Sequence, residues 1–166
     1  MGLTIASAKS NPSLLLELQD IRGELRFFLK LVEQQELSPQ DVRLRSRELL
    51  NTLKQLRELI GIHFILEQDH GYLNDPDLLA SNYRDRMDGL RAEHQSLHLE
   101  LGSLVEHGER LFSRGRYEDL ARDSLLRYGE FLLNVRDHED REAVLIAAVQ
   151  TGTTTRRMRA RSPSVI

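Results

Sequence analysis

Apolar residues recur along this chain at alternating spacings of four and three, the period of helices that bury one face. Leu14, Leu18, Ile21, Leu25, Phe28 and Val32 form the first such seam. Asn11 and Pro12 before it read as a cap and a first helical residue, so the pattern predicts a helix from there to about Gln35. Ser38 and Pro39 repeat the start signal. The second seam then runs Leu49, Leu53, Leu56, Ile60, His63, Glu67, His70, and Gly71 stops it. After a turn at Asn74-Asp75-Pro76-Asp77, a third helix starting near Asp77 carries Met87, Leu90, His94, Leu97, His98, Leu101 and Val105, and ends near Phe112. Beyond the turn Ser113-Arg114-Gly115-Arg116, the fourth seam reads Tyr128, Phe131, Val135, His138, Glu142, Leu145, Val149. Four long helices joined by short turns predict an all-α fold, an antiparallel up-down four-helix bundle around one long core. The expected division is a flexible N-terminus over 1–10, the bundle over 11–150, and a disordered basic tail over 151–166 that begins at the threonine-rich run Thr151–Thr155.

Composition narrows the classes of function. The 166 residues suffice for one domain with a sizeable core. A net charge of −3 gives no reason to expect a nucleic-acid partner. The absence of cysteine excludes disulfides, thiolate metal sites, iron–sulfur clusters and a cysteine nucleophile. No apolar run approaches the roughly 20 residues of a membrane span, and no basic segment followed by an apolar one marks a signal peptide. A cytoplasmic protein with no membrane partner is the default expectation.

The polar residues that interrupt the seams carry the candidate chemistry. His63 and Glu67, His94 and His98, and His138 and Glu142 each stand four residues apart, one turn apart on one helix face. They occupy places where the pattern calls for leucine. A single core histidine is commonly just a hydrogen-bonded structural residue. Three such pairs, using four of the six histidines, favour a metal site instead. Burying these groups without a compensating partner costs several kcal/mol each, of order. Imidazole and carboxylate donors without sulfur suit iron, manganese or zinc.

These three motifs, in this order, resemble the hemerythrin-like (HHE cation-binding) domains. The runs from Leu56 to Gln68, from Leu90 to Leu101 and from Asn134 to Leu145 look like that family's second, third and fourth helices. The resemblance spans roughly residues 13–149. It implies a hemerythrin-like bundle holding two non-haem irons: His94, His98 and His138 on one iron, His63 on the other, Glu67 and Glu142 bridging. The departure is in the first helix. In Glu17-Leu18-Gln19-Asp20-Ile21-Arg22, Leu18 stands where the family places a histidine. Glu17, Glu24 or His70 would then have to replace that ligand, or the second position is weak or empty. The resemblance implies binding of O2, NO or peroxide, for sensing, detoxification or iron and oxygen handling. Any signalling output would come through a protein partner. The alternative is a non-enzymatic helical interaction module with a degenerate or single-metal site. Ferritin-like carboxylate proteins need two Glu-x-x-His motifs, and this chain has one, Glu67-Gln68-Asp69-His70. No nucleophile–base–orienter arrangement points to a hydrolase.

Overall fold

The computed structural model describes residues 12–70 and 83–160, with side chains over 18–69, 83–149 and at 151. They form four helices and no strand: α1 (Pro12–Glu33), α2 (Pro39–His70), α3 (Arg84–Ser113) and α4 (Tyr117–Ala160). The expected third-helix start near Asp77 lies outside the described residues. No helix among them is long and apolar enough to cross a membrane.

Local chemistry sets the helix ends. Ser38 accepts a hydrogen bond from the Asp41 backbone N–H at 3.2 Å, which satisfies one orphan donor of α2. The α3–α4 turn closes with Arg116 N–H on Leu111 O, through Gly115 at φ +69°, a left-handed position that suits glycine. The fourth helix departs from expectation: it runs on through the threonine run to Ala160. Thr151 donates its hydroxyl to the Ala147 carbonyl at 2.8 Å, so the polar side chain is accommodated within the helix instead of ending it.

Packing runs α1 on α4, α4 on α3 and α3 on α2. The seams face inward: Leu18, Leu25, Leu53, Leu56, Ile60, Leu101, Tyr128 and Phe131 are buried in one main cluster. A smaller cluster of Met87, Leu90 and Leu145 stands apart from it. Along α3, His94 falls between Leu90 of the small cluster and Leu97 of the large one. Along α4, His138 and Glu142 fall between Val135 and Leu145 in the same way. The hydrophobic core is thus split by a polar layer.

Leu18 does not belong to that layer. It is fully buried in the main cluster, and its carbonyl accepts the Tyr128 hydroxyl at 2.9 Å. Tyr128 precedes His138 by ten residues of one helix, about 15 Å along the axis. A side chain on a helix leans toward the N-terminus, which carries this contact further from His138. Leu18 thus contributes apolar packing and a backbone acceptor to the main cluster.

Burial holds the Tyr128 phenol well above its ordinary pKa, so it stays a donor. Tyr128→Phe should destabilise the bundle by about 1 kcal/mol through loss of this buried bond. A urea-unfolding midpoint unchanged from the parent would show that the bond anchors nothing.

Candidate metal centre

The polar layer is assembled from α2, α3 and α4. One ligand atom each from Glu67, His94 and His138 lie within 4.8 Å of one another. His94 and His138 are almost fully buried, and their Nε2 atoms face each other at 3.0 Å. Glu67 Oε2 lies 3.3 Å from His94 Nε2, yet it is buried and accepts no hydrogen bond. Its other oxygen takes His63 Nε2 at 2.8 Å. Phe64 stacks on the His94 ring, with centroids 4.1 Å apart and planes 8° from parallel, and meets His138 edge-on.

The far nitrogens of both rings are also held. His138 Nδ1 is 2.8 Å from Glu93 Oε2, a contact that places its proton on Nδ1 and leaves Nε2 with a lone pair. His94 Nδ1 is 3.0 Å from the Gln68 amide nitrogen. An amide nitrogen only donates, so here His94 Nδ1 accepts and its Nε2 carries the proton toward His138. Without a metal the chain of contacts is self-consistent: Gln68 to His94, His94 to His138, His138 to Glu93. Turning the Gln68 amide over would present its oxygen, move the His94 proton to Nδ1, and free both Nε2 lone pairs.

Charge follows from burial. The His94 pKa is lowered to about 4, first by desolvation and then by the neighbouring His138, with Glu67 opposing and His63 adding a smaller depression. His63 is raised, chiefly by its hydrogen bond to Glu67 and against its own burial, with the charges of Glu67, Glu142 and Glu139 assisting. Glu139 is raised to about 7 by burial, then by Glu142, Glu67 and Asp140, with His63 opposing. The carboxylates of Glu67, Glu142 and Glu139 therefore all act on His63.

Three of the six expected ligands, Glu67, His94 and His138, are brought together. His63 is joined to them through Glu67. Glu142 is buried, and its charge acts on His63 and Glu139 rather than joining the three. His98 is not brought in. Its ring packs against Gly61, where an added Cβ would stand 3.2 Å from His98 Cε1, and its Nδ1 is buried without a hydrogen-bond partner. The proposed substitutes for a first-helix ligand also fall away or out of view: Glu24 is exposed, and the side chains of Glu17 and His70 lie outside those described. Glu93, Gln68 and Glu139 were not singled out by the sequence reading. The first two flank a seam residue directly, and Glu139 stands three before Glu142, so a seam-only reading passes over all three.

Comparison with protein-family models, with curated proteins and with solved structures finds no match for this chain.

The shifted groups give the metal-free protein a characteristic pH profile. His94 binds a proton near 6.5 when unfolded and near 4 when folded. Alone, it would make stability fall on acidification through that window, by about 1.4 kcal/mol per pH unit. Glu139 has the opposite sign: its folded value of about 7 stands above an unfolded 4.5, so its contribution is lost as pH rises between them. The two oppose each other between 4.5 and 6.5, and raised His63 adds a loss above 6.5. Stability should be nearly flat across that window in the parent and fall on acidification in Glu139→Gln. Urea titrations across the window check this, and equal slopes for the two proteins would refute it.

Proposed function

We propose that this protein is a metal-binding helical bundle of hemerythrin-like type, holding non-haem iron for the binding of O2, NO or peroxide. The observation that carries the reading is the convergence of Glu67, His94 and His138 on one point in an otherwise apolar core. Two imidazole nitrogens facing each other at 3.0 Å, beside a carboxylate oxygen with no hydrogen bond, are the contacts a cation would unite. The donor set suits iron, manganese or zinc. Glu93 supplies the carboxylate behind a histidine ligand that commonly orients such rings, and Gln68 stands in the equivalent place behind His94. Contacts of Glu33 with Arg122, and of Leu18 with Tyr128, support an antiparallel up-down arrangement of the first and last helices.

Bound iron would supply a redox-active Lewis acid for a small ligand. The residues of the chain would do the rest. Glu67, His94 and His138 hold the first position. Glu67 turns its second oxygen to His63, which with Glu139 and Glu142 offers donors for a second position. Phe64, Val135 and Leu97 keep water from the layer. His98 has no part in either set as the rings now stand.

A second reading is favoured by the closed Gln68–His94–His138–Glu93 network, which satisfies the rings with no metal: a helical interaction module with a single-metal or degenerate site. Anaerobic loading with ferrous iron separates the two. The parent should retain iron after desalting, and His138→Ala should lose it. Glu93→Gln should weaken iron binding by about 10–100-fold while leaving helicity unchanged. Glu139→Gln should lower only loading of the weaker position. A parent that retains no iron, with stability unaffected by iron in solution, would leave the interaction-module reading standing.

A further inference from the structure

Ten large apolar side chains among the described residues are more than half exposed, and four of them stand within eight residues of α2: Leu59, Ile62, Ile65 and Leu66. Single exposed leucines are ordinary, whereas a contiguous apolar patch marks a contact surface. At 3.6 residues per turn these four lie within an arc of about 120° on one side of the helix. Leu56, Ile60 and Phe64 turn to the core from the other side. Ile62 is the centre of the patch. Its neighbours three and four residues away are Leu59, Ile65, Leu66 and Glu58, so three of the four are apolar.

Charge is depleted over the same stretch. Seven side chains of α2 are exposed from Gln55 to Asp69, and Glu58 is the only charged one between those two ends. The nearby cations lean toward α3 instead: Lys54 pairs with Glu109 at 2.6 Å, and Arg57 lays its stem near Gly102. A surface helix ordinarily puts its charges on the face turned from the core. An apolar centre bounded by polar ends has the composition of an interface core and its rim.

We propose that this face is covered by a second copy of the chain, with α2 lying antiparallel on α2 across a twofold axis at Ile62. The patch complements itself in that arrangement. Ile62 meets the partner's Ile62, and Leu59 meets the partner's Ile65. Glu58 meets the partner's Leu66 and not a second Glu58. At the rim the Gln55 amide stands opposite the partner's Asp69 carboxylate, a donor facing an acceptor. A parallel pairing would instead set Glu58 against Glu58 and Asp69 against Asp69, two like-charge contacts. Seven exposed side chains from each copy fall short of the roughly 20–30 residues a side of a standard interface, so the dimer is a weak and reversible one. Metal has no part in the pairing.

The test uses the full-length metal-free protein in sedimentation equilibrium, from low micromolar to several hundred micromolar. The mass should rise with concentration from one chain to two and stop there, because a twofold contact closes. Ile62→Glu should stay monomeric throughout, and Leu126→Glu, at an exposed leucine on α4, should dimerise as the parent does. The chain has no cysteine, so introduced thiols report the register. Under mild oxidation, a mixture of Leu59→Cys and Ile65→Cys should form the mixed disulfide at least about tenfold faster than either variant links to itself. If Ile62→Glu loses helicity by circular dichroism, this cross-linking decides alone. A parent that stays monomeric at every concentration would overturn the proposal. So would dimers retained in a folded Ile62→Glu, growth beyond two copies, or self-linking of Leu59→Cys as fast as the mixture. No iron is present in any arm, so failure here leaves the reading of the metal centre standing, and failure of iron loading leaves the dimer standing.

Discussion

The contact on which the layer depends is the approach of two buried imidazoles, His94 and His138, whose Nε2 atoms stand 3.0 Å apart. His94 does not take a proton easily, because burial disfavours its charged form and the neighbouring His138 opposes it further. Everything around them accommodates that constraint. Phe64 covers one ring face, Glu93 and Gln68 fix the outer nitrogens, and Glu67 brings a carboxylate to the inner side. Bundles of this length could fill such a layer with leucine, as the same seams do above and below it. A core that instead keeps two histidines and two glutamates buried or nearly so carries a cost that apolar packing would avoid. The proposed cation supplies the compensation that the side chains only partly supply to one another.

Much of this was legible in the sequence, and the reasons are physical. Seams of four and three fix which residues face inward, and Leu53, Ile60, Met87, Leu101, Phe131 and Leu145 are buried as that spacing requires. Ser38 and Gly115 mark helix ends because their chemistry acts locally. His94, His138 and Glu67 were recognisable because polar side chains stood in apolar places. Register between helices was not legible, since it depends on packing across long sequence separations. Leu18 illustrates it: its carbonyl meets Tyr128, ten residues before His138 on the fourth helix.

His98 shows the limit of spacing as a guide. A residue four positions on is rotated about 40° further around the helix axis. Beside His138 that rotation leaves Glu142 buried. Beside His94 it turns His98 toward α2, where Gly61 leaves room for its ring. The same four-residue interval thus yields a buried residue on one helix and a half-buried one, packed on α2, on another. Flanking residues such as Glu93 and Gln68 escape a reading of faces for a related reason: they reach the layer from its edge.

The split core has a consequence for motion. Met87, Leu90 and Leu145 form a small apolar cluster cut off from the main one by the polar layer. Cooperativity between clusters rests on continuous packing, and here the link passes through hydrogen bonds instead. The end of the bundle beyond His94 and His138 is therefore tied to the Leu53–Phe131 region through the polar layer and not through a shared apolar cluster. A cation gripping α2, α3 and α4 at the layer would join the two units, so occupancy would set how much of the molecule breathes as one body.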